Sequence, residues 1–169
     1  ETVVDLSNRG TANCYIVSEK GTYSLDATVI GNGQTGIVAN SNFHTESAEI
    51  TPASADLLWA TSESLITSVA YESASRRISV RSSGGEGNAV IAARDGEGNI
   101  IWSWHIWCTD EPEEQVYPNN AGIMMDRNLG ATSAEAETLE ALGLFYQWGR
   151  KDPFIGCSSL TADGWDDIK

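Results

Sequence analysis

Bases are scarce in this sequence. Its 169 residues hold ten Lys and Arg against 24 Asp and Glu, a formal charge of −14. No stretch concentrates Lys or Arg, so the footprint of a nucleic-acid or anionic-membrane binder is missing. Long apolar runs are missing too. Nothing approaches the roughly 18 consecutive apolar residues of a membrane-spanning helix. Histidine occurs only at His44 and His105, and there is no GxSxG, HExxH or P-loop. No catalytic signature remains, and an enzyme is not expected. Cysteine occurs three times, at Cys14, Cys108 and Cys157, with a spacing that fits no zinc site. The odd count argues against a disulfide framework, and three buried free thiols fit better than one bridge with one free thiol. No Asn-x-Ser/Thr triplet is present. The chain opens on Glu1 without a charged-then-apolar leader, so a leader is expected to have been removed or the chain to be a piece of a longer one.

What is abundant is β-prone. Hydrophobic residues make up 41% of the chain, enough for a core of ordinary size, and six are Trp. Residues 12–17 form a β-suitable run through Cys14, Tyr15 and Ile16. Residues 22–30 alternate, with Tyr23, Leu25, Ala27 and Val29 on one face. Residues 57–60, 65–71 and 76–81 read as short strands. The clearest element is a hairpin: residues 88–94, a DGEGN turn at 95–99, and residues 100–108. Both arms are apolar on both faces, which predicts a central position between layers. On the second arm Trp102, Trp104 and Ile106 share one face; Ile101, Ser103, His105 and Trp107 share the other. Several short strands joined by polar turns imply a β-sandwich over residues 1–110.

The character changes at TDEPEEQVYPNN, and residues 111–120 read as an acidic linker. Residues 1–110 carry 13 acids and six bases; residues 111–169 carry 11 and four, the same net −7 in about half the length. Within 121–169, residues 123–129 read as a strand. Thr132 and Ser133 offer an N-cap to a helix over 134–150, with Leu139, Leu142, Phe145 and Tyr146 on one face. The expected whole is mainly β: a transthyretin- or immunoglobulin-like sandwich with a small attached α+β segment, an incomplete second module.

Candidate sites are few. His105, between Trp104 and Ile106, reads as a structural histidine, and His44 as solvated. Glu111, Glu113 and Glu114 lack the cleft and second partner of a glycosidase. Asp95, Glu97 and Asn99, and separately Asp163, Asp166 and Asp167, offer oxygens to calcium but match no EF-hand loop; no other cofactor and no resident metal site is expected. Trp102, Trp104 and Trp107 read as core. The residues left as ligand-binding candidates are Trp165, expected to be exposed among acids, Trp148, read also as core, and Arg150 and Arg127. Each arginine lies beside an acid, Asp152 and Asp126, and a structural ion pair is the plainer role for both.

The blocks TANCYIV at 11–17, GTYSL at 21–25, GNAVIAARDGEGNIIWSWHIW at 87–107, MMDRNLGATS at 124–133 and GLFYQWGRKDPF at 143–154 occur in an order that resembles the fimbrillin-like surface proteins of Bacteroidetes-type bacteria. The resemblance implies an exported cell-surface protein associated with the outer membrane, commonly a lipoprotein, acting in fimbriae (pili) or adhesion. It implies as partners other fimbrial subunits, or a host or bacterial surface protein or glycan. The lipobox Cys of the family is not near the start, so the usual anchor is missing or upstream. The MDRNLGA and YQWGRKDPF blocks also resemble the opening of FISUMP-type modules, which implies a C-type-lectin-like arrangement. The alternative role is a carbohydrate-binding accessory module of a surface polysaccharide-uptake system.

Overall fold

The computed structural model describes residues 2–33 and 48–154. Ten strands follow one another among these residues: β1 Val3–Asp5, β2 Cys14–Val17, β3 Gly21–Asp26, β4 Ser54–Ala60, β5 Ile66–Glu72, β6 Arg77–Ser82, β7 Gly87–Arg94, β8 Ile100–Cys108, β9 Glu114–Tyr117 and β10 Gly122–Met125. They form two four-stranded sheets, ordered β1-β3-β6-β5 and β2-β8-β7-β4, and the separate hairpin β9–β10. Both larger sheets are mixed. β1 runs parallel to β3 and β2 parallel to β8, while the remaining pairs are antiparallel.

The alternation in the sequence explains the layering. In β3, Tyr23 and Leu25 point inward; in β6, Ile78 and Val80 do, while Arg77, Ser79 and Arg81 point away. Across from them stand Ala89, Ile91 and Ala93 of β7 and Trp104 and Ile106 of β8, so the two sheets share one core. The small alanines of β7 leave room for the Trp104 indole, which is fully buried. β7 and β8 occupy the middle of their sheet, as their two apolar faces predict. Their turn closes through hydrogen bonds from Asp95 N to Asn99 O (3.0 Å) and from Gly98 N to Asp95 O (3.2 Å). Asp95 Oδ1 also accepts from the amides of Glu97 and Asn99, both at 2.9 Å, and Oδ2 from Asn99 Nδ2 at 3.0 Å. The carboxylate proposed above as a calcium ligand is therefore occupied by N–H donors as the brace of a turn.

Residues 111–120, read as a linker, include β9, which pairs with β10 in the register Val116↔Ile123. One expectation needs correction. The helix over 134–150 is absent: the only helical element among the described residues is a single 3-10 turn, Leu139–Ala141. Gly143 and Gly149 have φ of +73° and +81°, and Glu137 +67°, which no right-handed helix accommodates. The backbone bonds instead at long range, Thr132 N to Glu140 O and Leu144 N to Leu129 O. A Cβ on Gly143 would stand 2.7 Å from Leu129 O. Gly143→Ala is therefore expected to cost about 2 kcal/mol, from the left-handed conformation plus the clash. A chemical denaturation midpoint equal to that of the parent would refute it.

Candidate ligand-binding site

The outward face of the β8–β7 sheet is not open to solvent. Ser103, His105 and Trp107 of β8 and Asn88, Val90 and Ala92 of β7 are all buried. Residues 129–154 cover this face through a set of polar bonds. Asn88 Nδ2 donates to Gly130 O at 2.8 Å, and Trp107 Nε1 to Ala131 O at 3.0 Å. Lys151 Nζ donates to Ser103 O at 2.8 Å and to Asp152 Oδ1 at 2.7 Å; Ser103 Oγ donates to Asp152 Oδ2 at 2.7 Å. The Lys151 ammonium also lies 4.4 Å from the centroid of the half-buried Trp102 ring. Burial lowers the Lys151 pKa, opposed by Asp152.

Cys14, His105 and Asn88 form a chain within this face. Because Asn88 uses its amide nitrogen on Gly130, its Oδ1 faces His105 Nε2 at 2.9 Å. His105 therefore donates from Nε2 and accepts at Nδ1, where the Cys14 thiol sits at 3.2 Å. The same residue types serve cysteine nucleophiles when thiolate and imidazolium form an ion pair. Here burial acts the other way. It pushes the Cys14 thiol up to about 12 and His105 down to about 4, the latter only partly offset by Asp152. A neutral thiol donating to a neutral imidazole is a structural clasp. This agrees with the structural role expected for His105. Cys14 is half-buried and free, and Cys108 is buried and free; Cys157 lies outside the described residues.

The loop carried by this clasp presents the exposed aromatic. Phe145 and Phe154 exchange backbone bonds of 3.2 and 2.8 Å, closing the loop at its base. Arg150 N donates to Gln147 O at 3.0 Å, and Gly149 has φ +81°, the signature of a type II turn with Trp148 at its second position. Trp148 is 98% exposed, against the core position its hydrophobicity suggests. The Arg150 guanidinium lies 4.2 Å from the centroid of the Phe154 ring. Its expected partner Asp152 is taken by Lys151 and Ser103. Arg150 has no carboxylate partner among the described residues, in a chain with more than twice as many acids as bases.

The four ligand candidates thus separate. Trp148 and Arg150 share one loop tip. Arg127 does not join them: its guanidinium, 4% exposed, donates to Asp126 from Nε (2.9 Å) and Nη2 (3.0 Å), and to Asp110 and Thr109 from Nη1. These bonds, Asp126 first, raise the Arg127 pKa and lower those of both carboxylates. The ion pair expected with Asp126 is present, and Asp110 is a second partner. Trp165, His44, Asp163, Asp166 and Asp167 lie outside the described residues. No group of three or more His, Cys, Asp or Glu converges as metal ligands among the described residues. The residues that sequence reading missed are Asn88, Ser103 and Lys151, whose only signal was the polar character of Ser103 and Asn88 on otherwise apolar strands.

The fold and site thus define a mainly β chain with one clamped, aromatic-tipped loop. No helix among the described residues is long and apolar enough to cross a membrane. The chain matches no known protein family, no curated protein and no solved structure.

Proposed function

We propose that this chain is a non-enzymatic cell-surface protein, an adhesion or fimbrial component that acts through protein or glycan contacts outside the cell. The observation that carries the reading is Trp148, 98% exposed on a loop closed at its base and anchored through Lys151 and Asp152. An indole displayed in solvent on a loop closed at its base offers a large contact area, and its two side-chain torsions keep the ordering cost low, the property that binding loops exploit. Arg150 beside it, stacked on Phe154 and without a carboxylate partner among the described residues, adds a planar donor set. The neutral Cys14–His105 pair supports a non-enzymatic role. The strand orders β1-β3-β6-β5 and β8-β7-β4 parallel the ABED and GFC sheets of immunoglobulin domains and support that arm of the expected fold. The parallel pairing of β1 with β3 is a departure from it. The indole next to an arginine also favours the second reading, a carbohydrate-binding accessory module, because a Trp face stacks on sugar C–H surfaces.

A glycan panel, screened with and without calcium through intrinsic Trp fluorescence, tests the site. Saturable binding to one sugar class is expected to be lost in Trp148→Ala. The unfolding midpoint of that variant should stay within about 0.5 kcal/mol of the parent, as for an exposed residue. Binding that survives the substitution, or a Trp148→Ala chain that is markedly less stable, would assign Trp148 to packing and overturn the reading.

A further inference from the structure

A second surface lies outside the loop just described. The β9–β10 hairpin pairs with no third strand among the described residues, and all eight of its residues are exposed. Val116 and Ile123 stand opposite each other, and Glu114 opposite Met125, on one of its faces. These apolar side chains are 73%, 60% and, for Met125, 47% exposed, and Met124 on the other face is 64% exposed. A shallow, largely polar cavity of about 200 Å³ between β10 and the following loop is lined by Met124 and Met125 together with Asp126, Arg127, Asn128 and Ser133. Apolar side chains exposed side by side in this way mark an interaction surface.

The charge around it says what fits. Glu111, Glu113, Glu114, Glu135, Glu137 and Glu140 are exposed, and none has an ion-pair partner among the described residues. Between 111 and 140 the sole base is Arg127, already shared by Asp110 and Asp126. A second copy would bring two such rims together in a chain of charge −14, and an anionic bilayer or a nucleic acid would be repelled. Val116, Ile123 and Met125, exposed on one face of an acidic stretch, are suited to a cationic amphipathic polypeptide. The polarisable Met125 thioether adapts to its apolar side, and the glutamates face its Lys and Arg.

We propose that the β9–β10 hairpin and the 133–141 loop form a docking surface for a basic, amphipathic segment of a partner protein. The proposal does not depend on Trp148. Its test titrates the full chain with three labelled peptides of about 20 residues, read by fluorescence anisotropy: Leu/Lys amphipathic, Lys/Ser of the same charge, and Leu/Glu amphipathic. The Leu/Lys peptide is expected to bind at least about tenfold more tightly than Lys/Ser, to weaken as salt rises, and to outcompete Leu/Glu completely. The double variant Ile123→Thr with Met125→Gln, both at exposed positions of that face, should lose about tenfold in affinity with an unchanged unfolding midpoint. Equal binding of Lys/Ser and Leu/Lys would reduce the effect to bulk charge and overturn the proposal. So would an unaffected double variant, no binding of any peptide, or sedimentation showing that the chain dimerises through this face.

Discussion

Asn88→Ala is expected to lower the stability of the fold by about 3 kcal/mol, because two buried polar groups lose their partner at once. The Asn88 side chain is 2% exposed and bridges His105 Nε2 to Gly130 O. Alanine leaves both the imidazole N–H and the carbonyl without a bond, each at about 1–3 kcal/mol. The damage should be directional. Gly130 belongs to the covering segment, so residues 129–154 should loosen before the sheets separate. Urea denaturation gives the total. Native-state hydrogen exchange gives the direction: the amides of Ala131 and Leu144 should exchange faster in the variant, while those of Ile78 and Val80 lose only the global difference. Uniform loss across all four would mean that Asn88 supports the sandwich and not its cover.

How much of this was legible in the sequence depends on range. The β7–β8 hairpin was readable because its information is local: DGEGN supplies an Asp side chain that braces the turn, and apolar residues fill both flanks. Their two-faced apolarity even announced that something covers the outer face, without saying what. The cover could not be read, since its bonds join residues far apart in the chain: Cys14 to His105, Asn88 to Gly130, Ser103 to Lys151. The false helix over 134–150 shows the converse. Leu139, Leu142, Phe145 and Tyr146 have helical spacing, but Gly143 approaches Leu129 O too closely for any other residue, and the tertiary bond prevails over the period. Trp148 was misplaced for a related reason. Composition favours burial of an indole, whereas its place before Gly149 in a tight turn dictates exposure. Arg127 beside Asp126 was read as an ion pair from adjacency alone, but Asp110, 17 residues away, is visible only in the fold.

The second large effect expected is acid sensitivity centred on His105. Its folded pKa is held near 4 by burial, against 6.5 for the free side chain. The unfolded chain therefore binds the proton more readily, and stability must fall as pH falls. The contribution is complete above pH 6.5 and is lost progressively as pH drops toward 4. At 1.36 kcal/mol per pH unit that window amounts to about 3 kcal/mol. Cys14 and Asn88 satisfy the neutral imidazole, and Asp152, bound to Lys151 and Ser103, softens the shift without abolishing it. Protonation would place a donor on Nδ1 against the Cys14 S–H, so the clasp and the covering segment should open before the core unfolds. Arg127 binds both Asp110 and Asp126 and holds them below their ordinary values, outside this window. The comparison that isolates the histidine is therefore the difference between parent and His105→Gln, each unfolded in urea at several pH values between 7.5 and 4.5. The parent should lose stability steeply below about pH 6.5, and His105→Gln should be less stable at neutral pH but nearly flat until the carboxylates protonate. Parallel curves for the two chains would show that His105 carries no proton linkage, and with it the neutral Cys14–His105–Asn88 chain would fall.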